Sequence, residues 1–481
     1  MVSVTICVAK PSYCTVSLPR AYLATDRTGD CRCAVAIQRQ SEHIMIRTTN
    51  AALIPTLLVI GAALAPPTSA AGVETVAPMD WMQGFPPPED RTIRFTDDDY
   101  FVGDKLKWTV CHFRELMPTV GVRSGPEGAR ALPYASDPAI DDLTFQPSDG
   151  SELMTWSEAF DVNHADGLLV LHQGRVVYER YAGCLDEHTL HGVMSVTKSL
   201  TGLIGETLVA EGTLDEQARV GELVPELADS AFGDATLRQV LDMTTALDFS
   251  EDYSDPEADV WAYAQAGSPL PPPADYDGPR GYFAFLETVE KAGEHGEAFG
   301  YRTINSDALG WIISRATGKS VADWLAERVW SRIGAEREAF FTVDSIGTPF
   351  AGGGFNATLR DLGRLGQLIL DGGRLGDEQV LPEEAIKRIR EGGDKAAFSK
   401  AGFGGLDGWS YRSMWWIGHD DHGVFAARGV HGQTIWIDPS AEMVIVRLAS
   451  HPLATNAAND ATSLPAYRVL AEYLMGQDTA R

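Results

Sequence analysis

Met194-Ser195-Val196-Thr197-Lys198-Ser199 is the stretch that decides how this chain is read. Ser195 and Lys198 stand three residues apart at the start of an apolar helical run, Leu200, Leu203, Ile204 and Leu208, which Gly212 ends. That spacing is close to one helical turn, so the hydroxyl and the amine project from the same face. A serine hydroxyl is a poor nucleophile without a base beside it. A lysine serves as that base when desolvation or a neighbouring cation lowers its pKa, and an apolar helical face supplies the desolvation. Backbone N–H groups in the first turn of a helix are unpaired, so the Ser195 amide also suits a developing oxyanion. Taken alone the tetrapeptide is a weak pattern, since a helix-starting serine followed by a solvated lysine has the same spelling.

Two downstream segments change the odds. Phe299-Gly300-Tyr301-Arg302-Thr303-Ile304-Asn305 places a tyrosine just before a helix, where a phenol next to a cation can relay protons. Taken alone, Tyr301 is equally a core or rim aromatic. Gly429-Val430-His431-Gly432-Gln433-Thr434 leads into a C-terminal hairpin. A residue as small as Gly432 lets a substrate backbone lie along an edge strand. The amide of Gln433 or of Thr434 is the expected second oxyanion donor beside that of Ser195. The plain alternative is a hairpin with a surface histidine.

The pattern around these segments is that of an α+β chain. Leu168 to Leu171 and Val176 to Tyr178 flank a turn at Gln173-Gly174 and predict a hairpin. Helices are expected from Ser195, over Leu237 to Met243 with Thr236 or Asp234 as cap, from an Asn305 or Ser306 cap to about Ala316, and from a Thr358 cap to Leu370. Strands follow at Met414 to Ile417, Thr434 to Asp438 and Met443 to Leu448, then a closing helix over roughly Ala466 to Met475. Such an order predicts an antiparallel sheet built from both ends of the chain, covered by helices, with a helical insertion and a cleft beside it. Residues 72–165, rich in Pro, Gly, Asp and Trp, are expected to be an extended arm on a catalytic domain spanning 166–478.

Composition bounds the rest. The formal charge of −28 speaks against nucleic acid and anionic membranes as partners and otherwise favours solubility. Ala51 to Ala65 is an apolar run too short for a comfortable membrane span; it follows Arg47 and precedes Pro66-Pro67-Thr68-Ser69-Ala70-Ala71. This reads as a signal peptide over 45–71 with cleavage after Ala70 or Ala71, and no stable membrane span is expected afterwards. Residues 1–44 are an over-long leader if Met45 is the true start; a disordered extension before an internal anchor is the alternative. The expected location is therefore periplasmic or secreted. Cys7, Cys14, Cys31 and Cys33 fall in the leader, so only Cys111 and Cys184 remain in the expected mature chain. They can pair in an oxidising compartment, but spacing does not show that they meet. No Cys/His spacing resembles a zinc site.

In order and approximate spacing, the three segments resemble the motifs of the serine β-lactamase and penicillin-binding-protein superfamily, class C-like. Ser195 and Lys198 look like its nucleophile motif and Tyr301 like the tyrosine of its second motif. His431-Gly432-Gln433 stands where Lys-Thr-Gly is expected. Leu241 to Phe249 with Glu251-Asp252-Tyr253, the run from His295 through Trp311, and Gly352-Gly353-Gly354-Phe355 are similar to the 6-aminohexanoate-dimer hydrolase branch. The similarity covers the chain from about residue 80 onward. It implies a β-lactamase/transpeptidase-like fold and acyl transfer to Ser195, with Lys198 as base and Tyr301 as proton relay. It implies further that Tyr253 contacts the substrate amide, that Asn305, His431 and Gly432 help bind a small-molecule amide or ester, and that no metal or organic cofactor is needed. His431 in place of the lysine is mostly neutral near pH 7. That shifts the expected substrate from β-lactams and D-Ala-D-Ala peptides toward linear amides or esters, selected by the loops at 250–281 and 392–410. A carboxylesterase, a β-lactamase or D-amino-peptidase, and a non-catalytic penicillin-recognising protein are the rival readings. Intact Ser195, Lys198 and Tyr301 speak against the last.

Overall fold

The computed structural model describes residues 80–253 and 255–479, together with Val4–Ile6 and Cys14–Val16, which form an antiparallel pair. The expected start at Met45, the apolar run at 51–65 and its cleavage site lie outside the described residues.

Seven strands form the main sheet: β1 Ala165–His172, β2 Arg175–Tyr181, β3 Ser410–Arg412, β4 Trp415–Ile417, β5 Phe425–Gly429, β6 Gln433–Asp438 and β7 Met443–Ala449. Their spatial order is β3-β4-β5-β6-β7-β1-β2, with every neighbouring pair antiparallel. The sheet is thus assembled from both ends of the chain, as expected, and Gln173 and Gly174 make the β1–β2 turn with positive φ. The unbroken apolar run at Leu168 to Leu171 follows from burial on both faces. Leu169 and Leu171 share one core with Leu359, Leu362, Leu365 and Leu368; Leu168 and Val170 share another with Trp156, Tyr467 and Leu470.

The helices that matter here are α1 Gly103–Thr109, α2 Trp156–Val162, α3 Val196–Ala210, α4 Ile304–Thr317, α5 Leu359–Leu370 and α6 Ala457–Thr479. Helix α5 lies on one face of the sheet, capped by the Thr358 hydroxyl that accepts the Asp361 N–H; α2 and α6 lie on the other. Helix α3 is buried almost all round. A smaller antiparallel sheet runs Thr119–Val122, Ala339–Thr342, Phe355–Ala357, His191–Gly192, and its last strand leads into Ser195. Cys111 and Cys184 are disulfide-bonded, with Cα atoms 6.2 Å apart. Among the described residues no helix is long and apolar enough to cross a membrane.

Two helix starts differ from the sequence reading, each for a physical reason. Helix α4 begins at Ile304, before the expected caps, and its capping group is remote. The Glu251 carboxylate, 52 residues away, accepts both the Thr303 N–H at 2.6 Å and the Thr303 hydroxyl. Helix α6 begins at Ala457 and runs through Pro465. The carbonyl that proline cannot serve is that of Ala461; it accepts the Ser148 N–H at 2.9 Å instead.

Candidate active site

Ser195 occupies the N-cap position of α3, but its side chain makes no capping bond. The hydroxyl is left for Lys198, whose Nζ lies 2.9 Å from Ser195 Oγ. Lys198 is 2% exposed, and its Nζ also donates to the Gly352 carbonyl at 2.7 Å. Loss of water around the amine brings its pKa down to about 8, against the opposing pull of Glu251 and Asp307. The expected desolvation is therefore present, and the second contact comes from the Gly352-Gly353-Gly354 segment.

Tyr301 completes a cluster of three. Lys198 Nζ sits 5.2 Å from the centre of its ring. Burial raises the phenol above its ordinary pKa; a hydrogen bond to the Ser195 side chain works against that, the Glu251 charge adds to it, and the Arg428 charge opposes it. At neutral pH the phenol keeps its proton. Trp416 stacks on Tyr301 at 5.8 Å, and the Arg428 guanidinium lies 5.3 Å from the Trp416 ring while pairing with Asp460.

The third segment is displaced from where the sequence reading puts it. Backbone of β5 lies against the Ser195 amide. A Cβ built on Gly429 would lie 3.0 Å from Ser195 N and 2.6 Å from the Val193 carbonyl oxygen. Pairing of β4 with β5 ends at Ala426, so among the described residues 427–429 have a sheet partner only in β6. That leaves a short open edge beside Ser195, followed by Val430. Gln433 and Thr434, the expected donors, are not at this edge. Thr434 lies between paired strands, opposite Arg428 and Arg447. Gln433 clamps the backbone of Ala449, donating to its carbonyl at 2.6 Å and accepting its N–H at 3.0 Å.

His431 and Gly432 are also corrected. The His431 ring packs edge-on against Phe101 at 5.1 Å, and its Nδ1 meets the His451 carbonyl at 2.7 Å. Burial lowers its pKa. It therefore does not stand in for a site lysine; the nearest cation on this strand is Arg428. The Gly432 carbonyl accepts from Arg447 Nε at 2.8 Å, inside the sheet.

Of the other expected residues, Tyr253 lies at the mouth. It is 54% exposed, donates to Glu251 Oε1 at 3.0 Å, and meets Trp261 edge-on. Asn305 is buried and does not reach the mouth: its amide accepts from Thr245 at 2.7 Å and donates to the Arg302 carbonyl at 3.1 Å. Two carboxylates not singled out from the sequence shape the site. Glu251 holds Thr303 next to Tyr301. Asp307 is fully buried, accepts the Tyr263 hydroxyl, and accepts the Ala351 N–H at 3.1 Å, fixing the residue before Gly352. Burial brings the Asp307 carboxyl up to about 7, against the Tyr263 hydrogen bond and the Lys198 charge. Glu251 and Asp307 both fall in the family-like runs, but neither carries a local sign of its partner, Thr303 for the one and, over a hundred residues away, Lys198 for the other.

A β-lactamase family profile matches residues 163–465. The chain belongs to that family. The β-lactamase-family protein is 33% identical over 347 residues to the 6-aminohexanoate-dimer hydrolase of Paenarthrobacter ureafaciens, which spans 72% of this chain and 86% of that one. A solved Bacillus anthracis structure, proposed to be a 6-aminohexanoate-dimer hydrolase, superposes with a TM-score of 0.71 at 32% identity, covering 79% of this chain and 96% of that one. A family VIII carboxylesterase shares the fold at 16% identity, with a TM-score of 0.51 over 69% of this chain and 98% of that one. The protein is thus a serine hydrolase of the β-lactamase fold.

Proposed function

We propose that this hydrolase cleaves a linear amide, of the 6-aminohexanoate-oligomer kind, through an acyl-enzyme on Ser195. The observation that carries the reading is the buried Lys198 amine, 2.9 Å from Ser195 Oγ and shifted toward neutrality. Neutral Lys198 takes the Ser195 proton as Oγ adds to the amide carbonyl. The Ser195 N–H and the N–H of Val430, next after Gly429 on the open edge, hold the oxyanion. The C–N bond then breaks, and the protonated Tyr301 phenol hands its proton to the departing amine, recovering one by way of Lys198. Water enters where the amine left and gives up its proton to the same pair as it adds to the acyl carbon; the bond to Oγ then breaks, the pair returns that proton to Ser195 Oγ, and the acid leaves. The likeness to the Paenarthrobacter enzyme supports the amide class.

Export is proposed as well. It rests on the signal-like segment at 45–71 and on the Cys111–Cys184 bond, since structural disulfides persist in oxidising compartments.

Intact-mass analysis after a fluorophosphonate tests the nucleophile. A single adduct that Ser195→Ala abolishes is expected; parental turnover in Ser195→Ala overturns the mechanism. Turnover of 6-aminohexanoate dimer set against p-nitrophenyl esters and nitrocefin tests the substrate class, and a clear preference for nitrocefin or for the esters overturns the amide assignment.

A further inference from the structure

Two residues flanking the proposed oxyanion donors hold left-handed backbone angles that residues with side chains seldom adopt. Met194, with φ 47°, precedes Ser195, and His431, with φ 62°, follows Val430. Such angles persist where the surroundings over-determine them. Here one outside segment, Phe101 to Phe113, grips both. Phe101 sets its ring edge-on against His431 at 5.1 Å and lies 5.7 Å from Phe113. Phe113 packs with Met194 over Gly192: a Cβ on Gly192 would come 2.6 Å from both the Met194 methyl and the Phe113 ring. The Gly192 N–H donates to the Val110 carbonyl at 2.8 Å, joining the end of α1 to the strand that leads to Ser195. Leu106, Val110, Phe113, Met194 and Phe340 form one buried cluster with Phe101 and Val430 against it, and the Cys111–Cys184 bond closes the segment onto the catalytic domain.

We propose that Phe101 and Phe113 are positioning residues for the oxyanion hole, each setting the backbone on one side of it. Phe113 holds Met194, and with it the direction of the Ser195 N–H. Phe101 holds His431, and with it the direction of the Val430 N–H. The inference rests on the acyl-transfer reading of Ser195. Donors aimed at a charge that exists only in the transition state lose effect when misaimed, while the planar ground-state amide is held by other contacts.

The test compares full-length Phe101→Ala, Phe101→Leu and Phe113→Leu with the parent. It measures kcat and KM on a turned-over substrate and the affinity for a phenylboronic acid, a tetrahedral mimic. Phe101→Ala is expected to lower kcat about tenfold or more with KM nearly unchanged, and to weaken the boronate by a similar factor. The two leucine variants are expected to fall between it and the parent. A purely structural role moves the unfolding temperature but leaves kcat and boronate affinity of the folded enzyme at parental values, and that result overturns the inference. If Phe101→Ala does not fold, the same comparison on Phe101→Leu decides. Fluorophosphonate labelling separates the two failures. Parental kcat in the arm variants with Ser195 still labelled removes this inference alone, whereas parental turnover in Ser195→Ala removes the reading beneath it.

Discussion

Lys198 Nζ donates to the Gly352 carbonyl at 2.7 Å while sitting 2.9 Å from Ser195 Oγ. A neutral amine in that place keeps a proton on Gly352 and turns its lone pair to the serine. Only the neutral form serves as base, and burial sets the pKa to about 8. The acid limb of kcat/KM is therefore expected to rise through about pH 8 and level off above it. A flat profile from acid to mild alkali removes Lys198 as base. Lys198→Arg, which keeps the charge and does not deprotonate, is expected to lose about 10³-fold or more in kcat.

Glu251 lends its negative charge to the ammonium form of Lys198 and so holds that pKa up. Removing the charge favours the neutral amine at lower pH. Glu251→Gln, which keeps an acceptor for Thr303, is expected to move the acid limb of the same profile toward lower pH. A limb that stays in place or moves up contradicts the electrostatic coupling.

Tyr301 keeps its proton at neutral pH because burial outweighs the Ser195 hydrogen bond and the Arg428 charge. An amine must be protonated to leave, whereas a nitrophenolate leaves unaided. Tyr301→Phe retains the stack on Trp416 and is expected to cost about 10²-fold or more in kcat on an amide. The acylation burst with a p-nitrophenyl ester is expected to fall far less. Equal losses on both substrates rule out a role at the leaving group.

Gly429 is extended, with φ −131° and ψ 153°, so left-handed geometry is not what requires glycine here. Space is the reason, because a Cβ would stand 3.0 Å from Ser195 N, where the oxyanion belongs. Gly429→Ala is expected to lower kcat by about 10²-fold, with boronate affinity falling alongside. Parental kinetics in the folded variant place the oxyanion elsewhere.

The Ser195–Lys198 pair, Tyr301, the β1–β2 hairpin, α5 with its Thr358 cap and the C-terminal strands were legible because each is written in local spacing. What was missed depends on distant partners. The start of α4 is capped by Glu251, and α6 tolerates Pro465 because Ser148 serves the freed carbonyl. The difference at the third motif is one of register: the sequence pattern sets His431-Gly432-Gln433 at the strand facing Ser195, whereas Phe425 to Gly429 just before it forms that strand. Ala426 and Ala427 are short, and Arg428 breaks the apolar pattern, so β5 lacks a strong strand signature. Its position depends on pairing with β6, which no short window of sequence displays.

Glu206 lies two turns along α3 from Lys198, with its side chain fully buried. It accepts from Arg238 at 2.8 Å, from Arg388 at 2.5 Å and from the Ser413 hydroxyl, tying the nucleophile's helix to three other segments. Burial alone raises its pKa, but Arg238, Ser413 and Arg388 together hold it below the ordinary 4.5. A depressed carboxylate stabilises the fold fully above the unfolded pKa and loses that contribution as pH falls through the folded value. Glu206→Ala also leaves guanidinium groups short of a partner, a loss of about 3–5 kcal/mol for a broken buried pair. Urea unfolding at pH 7 is expected to show that deficit, and the gap to the parent is expected to narrow as pH drops below about 4.5. A gap that is absent at pH 7 shows that the network contributes nothing to holding α3, and one that widens in acid overturns the depressed Glu206 carboxylate.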